Sequence, residues 1–127
     1  MTTATRHDTG KPKLHHFTPG VFNLSVAKLP PEVFALNHAM NLWFYQRNPS
    51  YLHSIRLVEP SVATVLSWGA TKYDAYNYTK GMAYSRVLNS FRRHILAIAN
   101  GEDLDPESTL PHLSHAKCNI LFALTYH

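Results

Sequence analysis

Between Ser85 and Asn119 the chain gathers groups able to hold a cation or move a proton: His94, then Glu102, Asp103, Asp105 and Glu107, then His112 and His115. Four of the eight acidic residues and three of the nine histidines fall there. Imidazole nitrogens and carboxylate oxygens are donors that zinc, manganese, iron or magnesium accept in mixed sets, so the composition fits a divalent-cation site without choosing the metal. The same residues fit a plainer account. The acids would complement the N-terminus of a following helix, and a histidine such as His94, beside Phe91 and Ile98, would be a hydrogen-bonded packing residue.

Spacing indicates how these groups would meet. Val87, Phe91, Ile95 and Ile98 recur on one helical stripe, with Arg86, Ser90, Arg93, Ala97 and Asn100 on another. Gly101 supplies the freedom of φ with which such a helix closes. Pro111 in a first turn, with Ser108 or Thr109 as cap, starts a second helix. On it His112, His115 and Asn119 stand at i, i+3 and i+7 on one face, beside an apolar face of Leu113, Ala116, Ile120 and Leu124. A short acidic connection predicts an antiparallel hairpin that brings His94, the carboxylates and the His112/His115 pair together.

The rest of the chain sets bounds. A length of 127 residues with 45% apolar content suits one domain with a modest core. No run approaches the roughly 18 to 20 apolar residues of a spanning helix, and no secretory leader is visible, so a soluble, cytoplasmic protein is expected. Cys118 is the single cysteine, which excludes an internal disulfide, and its apolar neighbours favour burial over a nucleophilic thiol. The net charge is +4 and the basic residues are dispersed. That balance suits a nucleotide or another polyanion, and a nucleic-acid accessory role is the weaker variant. There is no repeat, zinc-finger spacing or Gly-rich phosphate loop.

Taken in order, residues 1–20 show no sustained period and read as an extended arm, and residues 21–59 as a variable helical segment. Leu24–Leu29 reads as a short strand or loop. Pro30-Pro31 begins a helix through about Gln46 that is apolar on nearly every side, as in helices buried or set at a subunit contact. Pro60 opens a third helix, and Lys72, Tyr73, Tyr76, Asn77, Tyr78 and Lys80 form a basic, aromatic stretch suited to stacking on a purine and reading its edge. The expected fold is all-α: a compact bundle of about four helices with an extended N-terminal arm, assembled as a homo-oligomer, with residues 60–127 as its core.

The segment Gly69–Asn119 resembles the phage and prophage dATP/dGTP diphosphohydrolase N-terminal domain family. The likeness is carried by Gly69, Ala70, Lys72 and Tyr73; by Asn77, Lys80 and Gly81; by Arg93-His94; by the run Gly101, Glu102, Asp103, Asp105, Glu107, Ser108; and by His112, Leu113, His115, Ala116 and Asn119. The opening Asp8–Leu14 is also similar. The chain departs from the family in residues 21–59, where the family segment is shorter.

The resemblance implies metal-dependent cleavage of a purine deoxynucleoside triphosphate to monophosphate and pyrophosphate. On that reading Glu102, Asp105, His112 and His115 hold a divalent ion (Mg, Mn or Zn), and His94, Glu102 and Glu107 serve as catalytic groups. Lys13 (or Lys11), Lys72, Tyr73, Asn77, Arg86 and Arg93 contact the nucleotide. Arg93 is preferred to Arg92, which falls on another side of its helix. The E-x-x-E pattern of other all-helical pyrophosphohydrolases is absent, and the one adjacent His-Asp pair is His7-Asp8. The alternative is a phage protein that binds or sequesters a nucleotide or nucleotide signal without turning it over.

Overall fold

Among the described residues the chain forms five α-helices: α1 (Pro19–Ser25), α2 (Pro31–Gln46), α3 (Pro60–Lys72), α4 (Tyr84–Ala99) and α5 (His112–Tyr126). The computed structural model describes residues 10–50, 52, 60–72 and 83–126, the last three residues of α3 and Tyr126 by backbone alone. Among the described residues there is no strand, only an isolated bridge between Leu104 and Pro111. Leu24–Leu29 therefore forms the end of α1 and a turn. No helix among them is long and apolar enough to cross a membrane.

Helix boundaries follow local chemistry. Thr18 caps α1 by accepting from the Val21 amide, ahead of Pro19 in the first turn. Pro31 likewise starts α2, which ends where Arg47 turns to φ 53° and lays its guanidinium over the Tyr84 ring. At the end of α4, Gly101 at φ 86° lets its own amide reach Ile98 O and the Glu102 amide reach Ala97 O, the paired bonds of a Schellman cap.

α2 is less enclosed than its composition suggests. Val33, Leu36, Asn37, Ala39, Met40 and Trp43 form its buried side, while Phe34 remains 59% exposed. The main core packs that side against Phe22 of α1, Val87, Leu88, Phe91 and Ile95 of α4, and Ala116, Ile120 and Ala123 of α5. A second, smaller cluster joins Val62 and Val65 of α3 to Cys118 of α5. α5 is thus wedged between α3 and the rest, and α4 and α5 fold back on one another as the hairpin that the spacing predicted. Lys117 of α5 adds an ion pair to Glu32 of α2 at 3.0 Å.

Of the arm expected over residues 1–20, the described part from Leu14 on is not extended. From Leu14 to His16 it makes a 3-10 turn, buries Leu14 in the main core and lies against α4. Asn89 and Arg92 explain the difference: both are buried on α4, and both offer polar atoms to the segment's backbone.

Candidate metal centre

The loop 102–111 is closed by its own backbone and by one carboxylate. The Asp105 amide donates to Leu110 O, the Thr109 amide to Asp105 O and the His112 amide to Asp103 O. Asp105 Oδ1 accepts from the amides of Glu107 (2.8 Å) and Ser108 (3.1 Å), the turn that an aspartate makes with backbone two and three residues on. Thr109 takes a left-handed φ of 61°. Neither Ser108 nor Thr109 caps α5; the Ser108 hydroxyl accepts from the Leu110 amide and meets His115 Nε2 at 2.6 Å.

With Oδ1 occupied by the turn, Asp105 Oδ2 faces the histidines, 3.9 Å from His94 Nδ1 and 3.9 Å from His112 Nδ1. Those two nitrogens are 2.8 Å apart. His94, Asp105 and His112 therefore offer three donor atoms that all lie within 4.8 Å of one another. Adjacent positions around a cation with bonds of roughly 2.1 Å are about 3.0 Å apart, so the nitrogens already have the right separation and the carboxylate oxygen is slightly wide. His112 turns its other nitrogen, Nε2, to Glu102 Oε2 at 3.0 Å. In a neutral His112 this contact places the proton on Nε2 and the lone pair on Nδ1, toward Asp105 and His94. Glu102 is half exposed, His112 nearly buried.

His115 walls the cluster. Its ring stacks on His94 with centroids 4.7 Å apart and planes 7° from parallel, and Trp68 of α3 meets it edge-on at 5.6 Å. Burial pushes its pKa below the ordinary histidine value, with nearby Asp105 opposing that shift. A neutral ring accepting the Ser108 hydroxyl proton at Nε2 carries its own proton on Nδ1.

The structure thus brings together His94, Glu102, Asp105, His112 and His115 from the sequence-based set. Glu107 is exposed, 3.7 Å from Lys11, and its charge acts on His115. Arg93 donates to Pro12 O. Arg86 sits two turns before His94 on α4, about 12 Å along the axis, and is not gathered into the cluster. Lys13 is exposed at the N-terminal cap of the 3-10 turn. The Lys72 side chain, Tyr73 and Asn77 lie outside the described residues, as does most of the stretch expected to read a base. Asn119 Nδ2 donates to His115 O within its own helix.

Two partners escaped the sequence reading in their actual roles. Ser108 looked like a helix cap, although a hydroxyl seven residues before a histidine across a closed loop also suits a ring partner. Trp68, on the helix opened by Pro60, carried no sequence signal of its contact with His115.

A family model described as dATP/dGTP diphosphohydrolase, N-terminal, matches residues 35–127. A protein of Salmonella phage PMBT28 named dATP/dGTP diphosphohydrolase is 33% identical over 72 residues, which are 54% of this chain. The match takes in 24% of that protein, so the chain spans about a quarter of the length of this relative. No solved structure matches.

Proposed function

Because the chain belongs to the dATP/dGTP diphosphohydrolase N-terminal family, we propose that it binds a purine deoxynucleoside triphosphate beside a divalent cation and cleaves it to the monophosphate and pyrophosphate. The observation that supports this reading is the convergence of His94 Nδ1, His112 Nδ1 and Asp105 Oδ2 within 4.8 Å on a loop fixed by its own hydrogen bonds. A cation there supplies charge neutralisation on the phosphates and acidifies water.

The chain's own groups divide the remaining work. His94, Asp105 and His112 hold the ion. Glu102 keeps the Nδ1 lone pair of His112 aimed inward by accepting its Nε2–H, the role of a carboxylate behind a metal-bound imidazole. That contact lies on the far side of the ring from Asp105, which favours orientation over direct ligation. His115, stacked on His94 and kept neutral by burial, fixes the His94 ring without adding charge. Glu107 takes a proton from the attacking water. One water is consumed, one phosphoric anhydride bond breaks, and pyrophosphate leaves with the electron pair. Lys13 or Lys11, with Lys72, Tyr73, Asn77, Arg86 and Arg93, remain the proposed nucleotide contacts, Arg86 standing two turns from His94 along α4. Homo-oligomerisation belongs to the same proposal, supported by the exposed Val21, Leu24 and Phe34.

The second reading, nucleotide binding without turnover, is favoured by one observation: the three-residue cluster contains a single carboxylate. Incubation of the pure protein with a nucleotide panel plus magnesium, manganese or zinc, followed by anion-exchange chromatography, separates the two. Monophosphate and pyrophosphate in equal amounts are expected. Intact nucleotide recovered from the protein would overturn hydrolysis and leave sequestration.

A further inference from the structure

Asn89 and Arg92 are unusual occupants of a helix face packed on a core. They are 2% and 0% exposed. Asn89 Oδ1 accepts from the backbone amides of both Leu14 and His15. Arg92 Nη1 donates to Leu14 O (3.1 Å) and Phe17 O (2.7 Å) and Nη2 to Asn41 Oδ1 and the Tyr45 hydroxyl, each at 3.2 Å, while Nε is buried without a hydrogen-bond partner. No carboxylate among the described residues pairs with this guanidinium. The water of its two Nη groups has been replaced by neutral acceptors, two of them backbone carbonyls of the N-terminal segment. Burying a cation on such terms opposes folding unless its bonds are kept, so the segment is tightly specified where it crosses α4.

That crossing has a chemical consequence at its other end. Three residues before Leu14, the Lys11 ammonium stands 3.7 Å from Glu107, on the loop whose Asp105 faces His94 and His112. The ion pair is open to solvent, with side chains 40% and 46% exposed, and pairs of that kind are weak. A polyphosphate at the cluster therefore competes well for the ammonium.

Resting on the nucleotide reading above, we propose that Asn89 and Arg92 are positioning residues that clamp residues 11–17 across α4. Lys11 then presents its charge to the phosphate chain of the bound nucleotide, and Glu107 holds the ammonium until that chain arrives. Of the two lysines beside Pro12, Lys11 is the one whose ammonium meets the loop, and it is assigned the phosphate contact in preference to Lys13.

Titration calorimetry of the full chain with dATP, dAMP and inorganic tripolyphosphate, in calcium to suppress turnover, tests the clamp. Lys11→Gln is expected to weaken dATP and tripolyphosphate about tenfold, the loss of one charge-assisted contact, while dAMP and manganese affinities change little. Asn89→Ala should give the same pattern, and Asn89→Asp, which keeps the accepting oxygen, should restore binding. The double variant Lys11→Gln/Asn89→Ala should be no weaker than Lys11→Gln. Circular dichroism identifies an Asn89→Ala protein that has not folded, in which case the Asn89→Asp and Lys11→Gln arms decide. Unchanged tripolyphosphate affinity in Lys11→Gln overturns the proposal, as do losses that multiply in the double variant. If dATP is hydrolysed but Lys11→Gln is neutral, the clamp alone fails. If nothing is hydrolysed but Lys11→Gln weakens binding, the clamp stands and the hydrolase reading falls. Absence of dATP and tripolyphosphate binding by the unmodified protein overturns the clamp.

Discussion

Replacing Asp105 by asparagine separates the two tasks of this carboxylate. Its Oδ1 closes the loop through two backbone amides at 2.8 and 3.1 Å, and its Oδ2 faces the two Nδ1 atoms at 3.9 Å. An asparagine keeps the loop oxygen but loses the charge. Two charge-assisted bonds become neutral ones, a loss of about 1–2 kcal/mol in total, which for a domain of this size lowers Tm by roughly 4–8 °C. A cation at a hundredfold excess over its Kd stabilises the unmodified protein by about 2.7 kcal/mol, or roughly 10 °C. In Asp105→Asn that gain should fall below about 2 °C, because with its oxygen held by the loop amides the side chain turns an NH2 group, which cannot ligate, toward the two imidazoles, and one of three donors is lost. Asp105→Ala should lose the loop bonds as well and melt lower still. The assay is a thermal melt by circular dichroism with and without manganese. Should Asp105→Asn keep the full manganese-dependent rise, the cluster is not the cation site, however well its distances fit.

Three other perturbations bear on the same region. Glu102→Gln, which disturbs the carboxylate behind His112, is expected to weaken manganese 10- to 100-fold, measured by calorimetry; an unchanged Kd would remove Glu102 from the centre. His115→Ala and Glu102→Ala should each abolish hydrolysis or nucleotide binding with helical content intact by circular dichroism, and full activity in either would refute the role given to that residue. Cys118, whose thiol approaches Val62 O at 3.7 Å, is pushed up to about 12 by burial. It should resist alkylation at pH 8 until the chain unfolds. The unfolded thiol ionises first, so its contribution to stability is full below about pH 8.5 and is lost as pH rises toward the folded value. Urea titrations between pH 8 and 10 should show that slope, and Cys118→Ala should flatten it; a steep slope retained by the variant assigns it elsewhere.

The hairpin was legible because its signals are local. Apolar residues at three- and four-residue spacing fixed the inward sides of α4 and α5, and Gly101 could end α4 in a left-handed turn. The gathering of His94, Asp105 and His112 followed from a short connection between two such helices. What periodicity does not encode is which polar atoms a buried surface will use. Arg92 and Arg93 are adjacent and chemically identical, yet a turn of about 100° per residue sends one into the core and the other to Pro12 O. Preferring Arg93 to Arg92 as the nucleotide contact rested only on that angle. Learning that Arg92 would be buried without a carboxylate needed the backbone of Leu14 and Phe17, about 75 residues away in sequence. For the same reason the N-terminal segment, which has no period of its own, looked like an arm.

The loop shows why fold and chemistry are hard to separate here. A lone acid-rich connection would repel itself and spread. This one is folded in by Asp105, whose two oxygens do different things, and by Glu102, which reaches the outer nitrogen of His112. Ser108 holds His115 in the stack against His94. The residues that would hold a cation are therefore the ones that give the loop its shape, and a cation arriving there meets nitrogens already 2.8 Å apart. Little reorganisation opposes binding beyond moving the His94 proton from Nδ1 to Nε2, since His112 is already committed to Glu102. That asymmetry between the two rings has a direct consequence: a change at Glu102 should release the orientation of His112 while leaving the His94–His115 stack as it is.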